Sequence, residues 1–193
     1  MLFLMIKLIK SILKAKKMNP DSIIIKKMEK TDVDGVAKLE ALSYGEHHWS
    51  KDSFYNELEN NLAHYYCAWD ENGGLLGYGG CWHIFEEAHV TTLSIHPDAR
   101  RKKIAQAILL RIFDDCYAEM IKYVTLEVRE SNIAAISLYE KNGFKSIGMR
   151  KGYYQDNNEN ALIMFTENIW HEKFKMLYNQ NKEAMKQVKL RNE

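Results

Sequence analysis

Near the middle of the chain, a β-branched stretch runs into a Pro-Asp turn, passes through four consecutive cations and enters an apolar-periodic segment. It reads Leu93-Ser94-Ile95-His96-Pro97-Asp98-Ala99-Arg100-Arg101-Lys102-Lys103-Ile104-Ala105-Gln106-Ala107. A strand that feeds a helix this directly points to an α/β arrangement. The start of a helix offers backbone N–H groups without intrahelical acceptors and the positive end of the peptide dipoles, so the corner suits a pyrophosphate. Arg100, Arg101, Lys102 and Lys103 add cations where phosphates would lie. Taken alone, the pattern is only suggestive, since a solvated basic helix start has the same residues.

The rest of the chain alternates in the same way. Ser22-Ile23-Ile24-Ile25 reads as a first strand. Thr31, Asp34 and the spacing Val33, Val36, Ala37, Leu39 predict a capped helix, and 50–58 a second, with Ser50 as its cap. Strands follow over 63–69, 75–85 and 88–95, the first two joined by Glu71-Asn72-Gly73-Gly74. A helix over 104–120, a strand over 123–128, a helix over 132–141 stopped by Gly143, and a closing antiparallel pair over 144–154 and 161–166 complete the order β-α-α-β-β-β-α-β-α-β-β. Gly77-Tyr78-Gly79-Gly80 lies inside a strand pattern with no helix after it. The glycines therefore predict a bulge or a close packing contact, not a dinucleotide loop.

A chain of 193 residues suits one domain. Its net charge of +1 excludes a global field for nucleic-acid binding. Cys67, Cys81 and Cys116 form no C-x-x-C pair, and the seven histidines form no ligand pattern, so no metal is expected and three reduced cytoplasmic thiols are. Residues 1–21 form a basic amphipathic extension with Lys7, Lys10, Lys14 and Lys17 at helical spacing. Membrane contact through it is one reading and an upstream start codon is the favoured one. Residues 22–166 form the domain, and 167–193 a Lys-rich helical extension with Trp170, Phe174, Leu177 and Met185 in phase.

The corner resembles the R/Q-x-x-G-x-G/A signature of the GNAT acetyltransferase superfamily, with Arg100 or Arg101 leading to Ile104-Ala105. Lys103 stands where that family usually has its first glycine. A lysine forced to φ > 0 costs about 1–2 kcal/mol, yet keeps its N–H and adds an ammonium. The stretch 126–144, L-E-V-R-E-S-N-I-A-A-I-S-L-Y-E-K-N-G-F, is similar to the pattern of RimI-type ribosomal-protein-alanine N-acetyltransferases. R-K-G-Y-Y from Arg150 and E-N-A-L-I-M from Glu159 continue the likeness.

The resemblance implies a GNAT fold, α/β (α+β), with a mixed central sheet of about six to seven strands flanked by about four helices. It implies acetyl-CoA as co-substrate and a protein N-terminus as acceptor, in the first instance the N-terminal alanine of small-subunit ribosomal protein S18. A broader N-terminal acetyltransferase, a small-amine acetyltransferase and a non-catalytic ribosome- or membrane-docking module are the alternatives. It places Glu127 as base and Tyr139 as the acid for the leaving sulfur. Leu93, Ser94, Ile95, Arg101, Lys102, Lys103, Ile104, Ala105, Gln106 and Asn132 fall at the cofactor, and Tyr153 and Tyr154 at the substrate. An α-amine, at pKa about 7.7–8.0 against 10.4 for lysine, is easier to deprotonate by about 3.4 kcal/mol. One carboxylate therefore suffices as its base. Asn132 or Ser131 also reads as a plain helix cap, Glu127 as a solvent-facing strand residue, and Tyr139 as a core anchor.

Overall fold

The computed structural model describes residues 22–186 and 189–192, so the basic stretch expected at 1–21 lies outside the described residues. The elements are β1 (Ser22–Lys27), α1 (Val33–Tyr44), α2 (Lys51–Glu59), β2 (Ala63–Asp70), β3 (Leu75–Ile84), β4 (Glu87–Ile95), α3 (Ile104–Ala118), β5 (Tyr123–Arg129), α4 (Ile133–Lys141), β6 (Phe144–Tyr154), β7 (Glu159–Thr166), α5 (Glu172–Lys186) and β8 (Lys189–Asn192). The sheet runs β6-β7-β5-β4-β3-β2-β1-β8 and is mixed, with β4–β5 and β1–β8 parallel.

Period-2 alternation splits the interior into two cores. On β2, Tyr66 and Ala68 face α3, while Tyr65 and Cys67 face α1 and α2. On β5, Val124, Leu126 and Val128 join the α3 core, which also holds Ile104, Ile108, Ile112 and Phe113 of α3. Each fully buried aliphatic or aromatic side chain contributes roughly 1.5–3 kcal/mol, so this core fixes α3 against the sheet and with it the basic corner at its start.

Local signals account for most helix ends. Ser50 Oγ accepts from Ser53 N–H at 3.1 Å, as its position predicts. Gly143, at φ 92°, ends α4. Thr31 does not cap α1. The reciprocal box forms one turn earlier, between Glu29 and Asp32, around a 3-10 turn over Lys30–Asp32.

The sheet has one strand beyond the number expected. The tail forms α5 and then turns back as β8, adding parallel to β1 over Ser22–Ile25. An edge strand presents unpaired N–H and C=O groups, which the four-residue β8 occupies; so short a strand has no periodicity to read. Phe174 and Met185 of α5 are buried in the α3 core, and Lys182 pairs with Asp114 of α3 at 2.8 Å. Among the described residues, no helix is long and apolar enough to cross a membrane.

Candidate active site

The loop from β4 to α3 takes an unusual path. Pro97–Ala99 forms a 3-10 turn, Ala99 is buried, and Arg101 and Lys103 both adopt left-handed backbone at φ 64° and 63°. Lys103 therefore adopts the conformation that a glycine would take without cost. It is the residue before α3, and the first intrahelical bond is from Ala107 N–H to Lys103 O at 3.0 Å. The amides of Ile104, Ala105 and Gln106 thus have no acceptor within the helix. Arg101, Lys102 and Lys103 are exposed around them. Three N–H groups, a helix dipole and three cations make a fitting cradle for a diphosphate.

A slot lies beside this corner. β3 and β4 shift register between Gly80 and Cys81, so Thr91 is an extra residue in β4. The bulge changes the strand's phase. Val90 faces the α3 core, whereas Thr92 and Ser94, two and four residues on, face α1: Thr92 Oγ1 meets the Tyr78 hydroxyl at 3.4 Å and Ser94 Oγ meets Ser43 Oγ at 3.0 Å. Leu93 and Ile95 pack on the α3 side instead. Pairing of β4 with β5 stops at Val90–Leu126. Beyond that point β4 keeps only β3 as its partner, and the backbone groups on its β5 side from Thr91 to Ile95 face a gap with no strand across it. The glycines of β3 permit this path. A Cβ on Gly80 would lie 2.4 Å from the Tyr65 ring, and one on Gly77 would lie 2.8 Å from the Ser94 carbonyl oxygen. Tyr65 in turn holds Thr91 through its hydroxyl at 2.7 Å.

On the other wall of the gap, Glu127 lies one residue past the last pair, on the face away from the α3 core. Its side chain is only 9% exposed. Both oxygens are engaged: Oε2 with His89 Nε2 at 2.8 Å, and Oε1 with Arg150 at 3.1 Å. Neither His89 nor Arg150 is among the site residues read from the sequence. The three come from β4, β5 and β6, and only the strand order brings them together.

Tyr139 is buried on α4 and stands edge-on to Phe144 at 5.6 Å. Burial, followed by the proximity of Tyr44 and Tyr154, raises its phenol well above the ordinary range, so it carries its proton at neutral pH. Tyr154 is pushed up to about 12, chiefly by burial, and feels Tyr44 and Glu127 as well. These mutual influences put Tyr44, Tyr139, Tyr154 and Glu127 in one neighbourhood. Arg129 stacks on Tyr154, 3.8 Å from the ring centre, and bonds Asp156 at 2.9 Å and Glu159 at 3.1 Å. Glu159 also accepts from Ser131 N–H at 2.9 Å, and its carboxyl is held down at about 2 by the bonds from Ser131, Asn157 and Arg129. This clamp ties the β6–β7 turn to the start of α4. Tyr153 is exposed, packs edge-on to Tyr154 at 5.2 Å and sits under Arg150. Asn132 caps α4 through Oδ1, which accepts from Ala135 N–H at 3.1 Å, and so its amide Nδ2 takes no part in the cap.

Two other clusters lie away from the gap. His64, His83 and Glu119 bring ligand atoms within 4.8 Å of one another, a grouping invisible in the sequence. The two rings stack at 4.0 Å and 23°, and His64 Nε2 and His83 Nδ1 both face Glu119 Oε2, at 3.7 and 2.8 Å. His83 Nδ1 meets Glu119 at 2.8 Å, which makes the group a polar pin between the end of α3 and the sheet. Cys67, Cys81 and Cys116 are buried, and burial raises all three thiols.

Similarity to known proteins covers the same region. The Acetyltransferase (GNAT) family matches residues 34–144. The chain is 39% identical over 142 residues to a Bacillus subtilis (strain 168) protein named as a putative [ribosomal protein bS18]-alanine N-acetyltransferase, covering 73% of this chain and 93% of that one. It is 28% identical over 142 residues to the Escherichia coli (strain K12) [ribosomal protein bS18]-alanine N-acetyltransferase, covering 72% and 94%. The crystal structure of the ribosomal-protein-S18-alanine N-acetyltransferase from Escherichia coli superposes with a TM-score of 0.68 at 27% identity, over 75% of this chain and 92% of that one.

Proposed function

Because this chain belongs to the GNAT acetyltransferase family and is thereby an N-acetyltransferase, we propose that its acceptor is the α-amine of a protein N-terminus. The first candidate is the N-terminal alanine of ribosomal protein bS18, the substrate named for its Bacillus and Escherichia relatives. The observation that carries the reading is the gap where β4 leaves β5, with the basic left-handed turn before α3 at one end and the Glu127 carboxylate, 9% exposed, on its wall.

Acetyl-CoA, the acetyl donor of this family, fits that gap. The amides of Ile104, Ala105 and Gln106, with Arg101, Lys102 and Lys103, would hold its diphosphate. The backbone of Leu93, Ser94 and Ile95 would line its pantetheine arm and donate an N–H to the acetyl oxygen, and Asn132 would contact it from the start of α4. The amine enters from the face that bears Glu127, loses its proton there and bonds to the acetyl carbon. Tyr139, protonated because it is buried, supplies the proton that the departing sulfur needs. Tyr153 and Tyr154 flank the route of the incoming chain. An α-amine needs no more than this modest base, whereas a lysine would demand about 3.4 kcal/mol more to lose its proton.

The test is a peptide panel. Purified protein, acetyl-CoA and peptides differing only in the first residue are mixed, and release of free CoA thiol is followed with mass spectrometry of the product. Acetylation confined to the α-amine and fastest on alanine supports the assignment. Equal rates on many first residues make the enzyme a generalist. Acetylation on lysine side chains alone contradicts the reading.

A further inference from the structure

The far end of α3 carries a second set of chemistry-bearing side chains, remote from the gap between β4 and β5. His64 on β2 and His83 on β3 are diagonal neighbours on the face toward α3: His64 pairs with Cys81, and His83 N–H donates to Leu62 O at 2.7 Å. Glu119, the C-cap of α3, meets both. Each of the three brings one ligand atom within 4.8 Å of the others. His83 Nδ1 is within hydrogen-bond distance of Glu119 Oε2, but His64 Nε2, at 3.7 Å, is not. A ring nitrogen whose side chain is only 15% exposed is therefore aimed at a carboxylate without bonding to it. The His83 side chain is 6% exposed and that of Glu119 47%, so the group is closed on the sheet side and open to solvent on the helix side.

We propose that His64 Nε2, His83 Nδ1 and a Glu119 oxygen form a zinc site that fastens the C-terminal end of α3 to the β2–β3 ladder. Two imidazoles and one carboxylate are a donor set that suits zinc, with water at the fourth tetrahedral position on the exposed side. Neighbouring ligand atoms around zinc lie about 3.3 Å apart, between the 2.8 and 3.7 Å at which Glu119 meets the two rings. An ion there opens the ring stack from 4.0 Å to about 5 Å between centres. His83 is already oriented for the task. With Nδ1 given to the ion, Nε2 carries the ring proton and points to Cys116 Sγ at 3.8 Å, an outer contact of the kind that fixes a ligating tautomer. Two strands and a helix end supply the three ligands, so only the fold assembles them and no sequence spacing announces them.

Charge alone does not hold the ion. Asp115 lies one turn before Glu119 on α3, Lys27 is close enough to act on Asp115, Glu119 and His64, and Arg111 reaches Asp115 at 3.4 Å. Two carboxylates and two cations leave no strong local field, so the affinity comes from the ligand atoms themselves. The 15 residues of α3, about 22 Å at 1.5 Å per residue, separate this group from the basic corner. The ion is therefore structural and takes no part in acetyl transfer.

Two measurements test the assignment. In the first, the full chain is stripped with a chelator and titrated with zinc chloride by calorimetry. The wild type should bind one ion with a Kd below about 10 μM, and its Tm should rise by about 5–10 °C at a hundredfold excess over Kd. His64→Gln and Glu119→Ala should each weaken binding by about 100-fold, whereas His171→Gln, outside the group, binds as the wild type does. The second measurement needs no variant. In the long-range ¹H–¹⁵N spectrum of the wild-type imidazoles, saturating zinc should move His64 Nε2 and His83 Nδ1 to metal-bound positions and leave the other five of the seven histidines in place. Binding weaker than about 10 μM overturns the proposal. So do zinc-bound nitrogens on other histidines, or thiolate charge-transfer absorption when cobalt(II) replaces zinc, even if the variants misfold.

Discussion

Lys103 permits a sharp test of the corner proposed to hold the diphosphate, because its backbone and its charge make separable contributions. At φ 63°, it holds a left-handed conformation that costs a non-glycine residue about 1–2 kcal/mol. Lys103→Gly removes that strain but adds back about 0.5–1 kcal/mol of unfolded-chain entropy, so the net gain is about 0.5–1 kcal/mol. For a domain of this size that corresponds to a rise in Tm of about 1–4 °C. Lys103→Ala keeps the strain and loses the ammonium, so its Tm stays near that of the wild type. The side chain is exposed, so its charge contributes at most about 1 kcal/mol to a bound phosphate. Both variants should therefore weaken acetyl-CoA by no more than about fivefold, because the three helix-start amides are untouched. Differential scanning calorimetry and isothermal titration of the three proteins give both numbers. If Lys103→Gly is no more stable than Lys103→Ala, the strain argument fails. If either variant loses acetyl-CoA by a hundredfold, the side chain and not the backbone holds the phosphates.

Three further outcomes are expected. Tyr139→Phe keeps the buried ring but removes the hydroxyl proposed as the acid, so kcat should fall by about 10²-fold with acetyl-CoA affinity unchanged, and full turnover would remove Tyr139 from the mechanism. Gly80→Ala drives a Cβ to within 2.4 Å of Tyr65, which should cost about 1–3 kcal/mol by denaturant unfolding and disturb the Thr91 bulge; an unchanged midpoint would show that Tyr65 yields freely. Glu40 is buried beside the Tyr78 hydroxyl, and burial holds its carboxyl above the usual range although Tyr78 and the Trp49 N–H donate to it. A raised value means that its stabilising contribution is present below about pH 4.3 and lost as pH rises through the folded-state value. Glu40→Gln should therefore raise Tm at pH 7.5, with the gain vanishing near pH 4. A loss at both pH values would contradict this.

What the sequence revealed and what it hid divide along the range of the interactions. Ser50 and Asn132 cap helices as their positions predict, because capping is settled within three residues. Alternation on β5 alone separates Glu127 from Leu126 and Val128. The left-handed turn at Lys103 was legible as a strained substitution at a glycine position. The engagement of Glu127 was not, since His89, Glu127 and Arg150 meet only through the register of three strands. The β4 bulge at Thr91 is hidden for the same reason: it shifts a strand's phase by one residue, and only the pairing with β3 reveals it. The tail reads as helical because Trp170, Phe174, Leu177 and Met185 dominate its periodicity, while the four residues of β8 gain their structure from the edge of β1.

The claim on which the rest depends is that the amides opening α3 hold the acetyl donor and aim it along the gap between β4 and β5. Backbone ¹H–¹⁵N spectra recorded during titration with acetyl-CoA test it most directly. The account predicts the largest shifts at Ile104, Ala105 and Gln106 and along Leu93–Ile95, with little change at β1 or β8. Saturating shifts confined to other surfaces, with those six amides unmoved, would contradict it.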